Sequence, residues 1–181
     1  MRRLGAIIAG GKATRFGGDK AAALLDGRPL IEHVADGLRG QVEKLIVCGR
    51  EWPGMECVQD RPSPGMGPLG GLNAALHYAQ QEGYDVVATS GCDVLPVPDF
   101  PCELLPGNAV FVEGHYLLGL WPVGLASVLD AHLSGQNNLS MRYWIAEIGA
   151  RPIDTPAAFH NLNTPSDVAQ YAAQISTFGV R

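Results

Sequence analysis

The stretch "IIAGGKATRFGGDK" (Ile7–Lys20) closes an apolar run, "RLGAIIA" (Arg3–Ala9), with four glycines and three cations. This is the pattern of a buried strand opening into a loop of bare backbone and positive charge. Backbone N–H groups of successive glycines can form an anion-binding nest. Arg15 adds a planar fork of donors and Lys20 a movable point charge. Together they suit a bound polyphosphate. Two familiar phosphate motifs fail on spacing. A P-loop requires GxxxxGK[ST]; Gly5 and Gly10 have the interval, but Gly11 intervenes and Lys12-Ala13 offers no hydroxyl to a metal. The dinucleotide pattern GxGxxG is absent from this loop. What remains is a wider loop, with Gly10-Gly11 at its start, Arg15 midway and Gly17-Gly18-Asp19-Lys20 at its end.

The rest of the chain fits a small anionic ligand. Its 181 residues are enough for one domain with a proper core, and 46% hydrophobic against 17% charged residues is a globular balance. The net charge is −5, without the basic footprint that nucleic-acid binding needs. Yet Arg2, Arg3, Lys12, Arg15 and Lys20 crowd the first twenty residues against one acid, Asp19. The four cysteines, Cys48, Cys57, Cys92 and Cys102, show no CxxC and no ligand-like pairing with histidine, which points to free thiols. Neither a secretory leader nor a bilayer-spanning apolar run is expected, so a cytoplasmic protein with no membrane or nucleic-acid partner is the expectation.

Outward from the loop, short apolar runs alternate with helix-like segments. Pro29 of "PLIEHVADGL" stands at a plausible first helical position, and Leu30, Ile31, Val34, Ala35 and Leu38 share one face. "KLIVCG" (Lys44–Gly49) reads as a strand. Leu69, Leu72, Leu76 and Ala79 of "PLGGLNAALHYAQQ" repeat the helical spacing, and "YDVVATSGCD" is a strand with a polar end. "NAVFVE" and "HYLLGLWP" flank Gly114 as a hairpin. "VGLASVLDAHL", "LSMRYWIAEI" and "PSDVAQYAAQI" read as helices, with "RPID" a short strand between the last two. The expectation is one α/β domain over residues 1–181, a mainly parallel sheet covered on both faces with an antiparallel element. Trp121 and Trp144 are assigned to its core, and His115 and His160 to structural roles.

Open parallel sheets bind ligands outside the carboxyl ends of their strands. That rule selects the loop after Ala9, the end of the Val47 strand, Asp60 after "ECVQ", and Cys92-Asp93 after "VVATSG". Each has a bland reading as a tight turn or a helix cap; their convergence on one rim argues for a site.

Taken together, these segments resemble the molybdenum cofactor guanylyltransferases, within the nucleotidyltransferase superfamily of Rossmann-like folds. "IIAGGKATRFGGDKA" is similar to the family's signature loop, Ala-Gly-Gly, a spacer, Arg, an apolar residue, Gly, then Asp-Lys. "LDGRPLIEHV" is similar to the entry to its first long helix. "QDRPSPGMGPLGGL" (Gln59–Leu72) resembles an Asp followed by a Gly-Pro-Leu-x-Gly turn, here Gly67-Pro68. "GCDVLPVP" and "FHNLNTPSD" resemble its Cys-Asp and Phe-x-Asn-x-Asn-Thr-Pro elements.

The resemblance implies a Rossmann-like three-layer sandwich of nucleotidyltransferase type. It also implies a reaction in which GMP passes from GTP to molybdenum–molybdopterin, with release of pyrophosphate. Ile8, Ala9 and Gly10 match the backbone that meets guanine, with Gly11 continuing the glycine cradle. Lys20 matches the phosphate-binding lysine, Asp60 a nucleotide-contacting aspartate, and Asp93 the carboxylate that holds Mg²⁺. Arg15, Lys20 and Asp93 form the implied catalytic set, Gly67 and Pro68 belong to the nucleotide cradle, and Asn161 and Asn163 lie near the acceptor. The two asparagines read equally well as turn and cap residues before Pro165. Transient contact with cofactor-handling or acceptor proteins is implied as well. Other possibilities are a molybdopterin cytidylyltransferase, whose loop resembles Ala-Ala-Gly with Asn-Lys, and a sugar-phosphate nucleotidyltransferase, which usually places proline before the lysine. A non-catalytic nucleotide-binding partner protein belongs to a different class; the presence of both Lys20 and Asp93 speaks against it.

Overall fold

A computed structural model describes residues 1–10, 16–101, 108–135, 138–153, 155 and 158–178. Gly11, Lys12, Arg15 and Cys102 lie outside the described residues. The first strand, β1 (Arg3–Ile8), leads through a two-residue pair, β2 (Leu24–Leu25) and β3 (Arg28–Pro29), into α1 (Leu30–Arg39). Then come β4 (Lys44–Cys48), β5 (Glu56–Val58), α2 (Gly67–Gln81), β6 (Val86–Gly91) and β7 (Val94–Leu95). The second half runs β8 (Val110–Val112), β9 (His115–Pro122), a 3₁₀ turn (Val123–Leu125), α3 (Ala126–Ser134) and α4 (Met141–Glu147). It ends with β10 (Arg151–Ile153), β11 (His160–Asn161) and α5 (Pro165–Phe178).

One sheet carries seven strands in the order β10-β8-β9-β6-β1-β4-β5. β1 pairs in parallel with β4 and β6, as do β4 with β5 and β10 with β8, while β9 runs antiparallel to both β6 and β8. The expected mainly parallel sheet and its antiparallel hairpin are both present, and Gly114 turns that hairpin with φ +80°. Alternating residues of β1 feed two cores. Leu4, Ala6 and Ile8 pack with Leu69, Leu72 and Leu76 of α2, Leu129 of α3 and Trp144 of α4. Ile7 packs on the other face with Leu30, Ile31, Val34 and Leu38 of α1 and with Val168 of α5. The result is a three-layer sandwich. Trp121 and Trp144 are fully buried, and the Trp121 indole N–H donates to Thr89 Oγ1 at 2.7 Å.

Pro29 sits just before α1 rather than at its first helical position. Asp26 and Gly27 both have positive φ (50° and 78°) and turn the β2–β3 pair, which draws Pro29 into a strand. The helix expected from Val123 opens as the 3₁₀ turn before α3. His115 and His160 stack edge-on with Phe159 and at a tilt with Tyr171, respectively.

Registers place the site. Ile8 pairs with Cys48 on one side and Gly91 on the other, so three parallel strands finish together at one rim. The chain leaves β1 towards β4 and later returns to β6 on β1's opposite flank. That reversal is the topological switch point where open α/β sheets bind ligands.

Candidate active site

A cavity of about 220 Å³ opens at this rim. Ile8, Ala9 and Gly10 form its floor as β1 runs out, and Asp19, Lys20 and Ala21 bring back the far limb of the glycine loop. Arg50 follows β4, Gly67 and Pro68 begin α2, and Cys92 and Asp93 follow β6, with Leu117 closing the wall. The N-terminus of a fifteen-residue helix therefore faces the cavity, contributing the partial positive charge of its unpaired N–H groups.

The charged centre is compact. Lys20 Nζ donates to Asp93 Oδ2 at 2.6 Å and to Asn163 Oδ1 at 3.0 Å. The Lys20 and Asp93 side chains are only 21% and 14% exposed. Asp93 fits against the strand end because Gly91 has no side chain; a Cβ there would stand 2.8 Å from Asp93 Oδ1. Asn163 arrives through a pairing of distant segments. β11 runs antiparallel to β7, matching Asn161 with Val94, and the Leu162 N–H donates to the Asp93 carbonyl at 2.9 Å. Beyond it, Thr164 and Asp167 exchange hydrogen bonds as a capping box at the start of α5.

Asp60 lies beside the floor. A Cβ on Gly10 would come within 3.0 Å of Asp60 Oδ2 and 3.2 Å of the Gly49 Cα, and one on Gly49 would stand 2.7 Å from Asp60 Oδ1. Only paired glycines admit the carboxylate here. Asp60 Oδ1 is buried with no hydrogen-bond partner among the described residues, and burial raises its carboxyl pKa above the usual carboxylate range. An unpaired buried acceptor beside a cavity is placed to receive a ligand's donor.

Of the residues singled out from the sequence, Ile8, Ala9, Gly10, Lys20, Gly67, Pro68 and Asp93 line the cavity. Asp60 adjoins it, and Asn163 reaches it through Lys20. Asn161 does not meet them; it lines a separate cleft with Gln170 and Tyr171 between β11 and α5. Sequence reading missed Arg50, whose Nη1 donates to Asp19 Oδ1 at 2.6 Å and whose Nη2 donates to the other oxygen. No motif marks a lone arginine after a strand, and its partner is thirty-one residues away. The Cys92 thiol also faces the cavity, pushed up to about 12 by burial, and is an inert wall rather than a nucleophile. Cys48, Cys57 and Cys92 are free thiols.

The MobA-like NTP transferase domain model matches residues 5–146. Fold, rim and family model together define a nucleotidyltransferase. A molybdenum cofactor guanylyltransferase of Cereibacter sphaeroides is 36% identical over 94% of this chain and 95% of its own. With that identity along nearly the whole of both, this chain belongs to the molybdenum cofactor guanylyltransferases. Two solved structures share its fold. One is a molybdopterin-guanine dinucleotide biosynthesis protein A from Archaeoglobus fulgidus, with TM-score 0.69, 17% identity, and 96% and 99% of the chains covered. The other is a CTP:phosphocholine cytidylyltransferase from Streptococcus pneumoniae, with TM-score 0.66, 12% identity, and 97% and 100% covered. Neighbours named for different reactions share this architecture, so base choice has to come from the site.

Proposed function

We propose that residues 1–181 act as a single domain that transfers GMP from GTP to molybdenum–molybdopterin, yielding the guanine dinucleotide and pyrophosphate. The carrying observation is the Lys20–Asp93–Asn163 centre, joined by bonds of 2.6 and 3.0 Å at the rim of the sheet. In the reaction a terminal phosphate oxygen of the acceptor attacks the α-phosphorus of GTP. The bond from that phosphorus to the α–β bridging oxygen breaks, and pyrophosphate leaves with the electron pair. The nucleophile is largely ionised near neutral pH, so no general base is needed. The protein's work is positioning and charge stabilisation.

Ile8, Ala9 and Gly10 offer backbone to the purine, with Gly11 and Arg15 of the glycine loop assigned to the phosphates. Asp60 accepts from the nucleoside. Gly67 and Pro68 present the α2 N-terminus, and Lys20 engages the triphosphate. Asn163 steadies Lys20 and borders the acceptor, with Asn161 beyond it. Mg²⁺ fits Asp93: a hard cation is commonly held by one or two carboxylates plus phosphates and water, and no cluster of three or more ligating side chains occurs among the described residues. When bound, it neutralises charge on the phosphates. Asp93 would hold the cation, and Lys20, which donates to Asp93 here, would supply its ammonium to the nucleotide's phosphates. No described helix is long and apolar enough to cross a membrane. A cytoplasmic setting, transient contact with cofactor-handling or acceptor proteins, and no nucleic-acid partner complete the reading. The test is competition between GTP and CTP with Mg²⁺ and the molybdopterin acceptor, read by product mass. The guanine dinucleotide is expected; the cytosine dinucleotide as main product overturns the base assignment.

A further inference from the structure

Arg50 occupies an unusual station for a residue outside every recognised motif. Gly49 turns the chain after β4 with φ +84°, and a Cβ there would stand 2.6 Å from the Gly10 Cα. The turn is thus pressed onto the start of the glycine loop. From it the Arg50 guanidinium, 5.4 Å from the centroid of the Trp52 ring, reaches across to the loop's far limb and takes both oxygens of Asp19. The same carboxylate accepts the Ala21 N–H at 3.1 Å. Lys20 therefore sits between two residues tied to one carboxylate, and that carboxylate is tied to β4. From that position Nζ reaches Asp93 Oδ2 at 2.6 Å.

We propose that Arg50 is a positioning residue for nucleotidyl transfer, clamping Asp19 to the β4 turn so that Lys20 is delivered to the triphosphate in one orientation. The inference rests on the transfer reading above and adds a residue to it. Direct phosphate binding is the competing role for Arg50: Asp19 takes the Nη1–Nη2 edge, while Nε is buried with no hydrogen-bond partner among the described residues. The clamp is part-shielded, with side chains 28% and 43% exposed. It also stays formed across the ordinary pH range, because the bond from Arg50 holds the Asp19 carboxyl below its usual value.

A double-mutant cycle on the full-length chain separates the possibilities. Pyrophosphate release is measured for Arg50→Ala, Asp19→Asn, the double variant, Arg50→Lys, and Arg50→Ala within Lys20→Ala. Titration with GTP and Mg²⁺ and a thermal melt accompany each. Arg50→Ala and Asp19→Asn are each expected to lower kcat roughly tenfold, the scale of a lost charge-assisted contact. The double variant should be no slower than the slower single. Arg50→Lys, which keeps the charge but not the fork, should recover part of the rate. In the Lys20→Ala background, Arg50→Ala should change nothing further. Additive losses would show that Arg50 meets the nucleotide itself, and unchanged kcat with a lowered melting temperature would show a purely structural pair; either overturns the clamp. If CTP is the better substrate, the base assignment fails, and the cycle is read on CTP with the same expectations. If the wild type turns over neither nucleotide, the transfer reading fails. The clamp is then read from triphosphate affinity, expected to fall in Arg50→Ala and to be unaffected by it in the Lys20→Ala background.

Discussion

Two lysine–carboxylate pairs in this molecule share a separation of 2.6 Å: Lys20–Asp93 at the rim and Lys44–Glu56 on the flank of the sheet. Their surroundings differ. Lys44 and Glu56 are 37% and 45% exposed and share the Tyr78 hydroxyl, which accepts from Lys44 and donates to Glu56 at 2.6 Å. That network ties β4 and β5 to α2 and faces solvent. Lys20 and Asp93 are about a fifth and a seventh exposed and face a cavity. A solvated pair gains little from its charges, because water screens them. A shielded pair is held tightly only while both partners are present, and either can be drawn to a stronger ion of opposite sign. The same chemistry is a solvated brace in one place and a shielded pair facing a cavity in the other.

The largest expected effect breaks the rim pair at its acid. Asp93→Ala should remove turnover, with loss of roughly 10³-fold or more in kcat, while far-ultraviolet circular dichroism stays native. Near-normal pyrophosphate release from a folded variant would take Asp93 out of the metal site. Lys20→Ala should follow, lowering kcat/KM by roughly 10- to 100-fold, the equivalent of about 1.5–3 kcal/mol for one charge-assisted contact. An unchanged kcat/KM with a lower melting temperature would make Lys20 a brace like Lys44.

The flank pair should behave in the opposite way. Lys44→Met should leave kcat/KM at the wild-type value and move the melting temperature by no more than about 2–3 °C. Its pH signature has a definite sign. The bond from Lys44, then that from Tyr78, holds the Glu56 carboxyl below its usual range. The stability it contributes is therefore present above the unfolded value of about 4.3 and is lost as pH falls through the lower folded one. Melts of wild type and Glu56→Gln across that acid window should converge, and divergence on acidification would reverse the assignment.

The contrast also marks what a one-dimensional reading can reach. Strands β1, β4 and β6 are legible as continuous apolar runs, because both of their faces are buried, and helices α1 and α2 because apolar residues recur at helical spacing. Gly10 and Asp93 stand out because chain order puts them at strand ends. Asn163 reaches Lys20 only through the β7–β11 pairing, two residues on each strand, too short to leave a pattern. Asp19 is visible as half of the Asp-Lys motif, but its partner Arg50 is set by the turn at Gly49 pressing on Gly10. The Asp26-Gly27 turn was legible in principle, since adjacent residues tolerant of positive φ mark a tight hairpin. It was overshadowed by Pro29 as a helix start.

The smallest effect tests Asp60, a rim carboxylate with no counterion among the described residues. Asp60 Oδ1 is buried without a partner among the described residues, and desolvation lifts its folded pKa above the unfolded value of about 3.9. A raised carboxyl pKa works against stability. As pH rises through the unfolded value and then the folded one, the native state gives up its proton less readily, and the resulting deficit persists at neutral pH. Asp60→Asn removes the ionisation and nearly preserves the shape between Gly10 and Gly49. The variant should melt about 1–3 °C above wild type near pH 7.5, with the advantage shrinking towards pH 4. If Asp60 accepts from the nucleoside as proposed, the variant should also lose part of its preference for GTP over CTP. A variant that melts lower at neutral pH and keeps its base preference would show that Asp60 braces the Gly10–Gly49 contact and does not read the ligand.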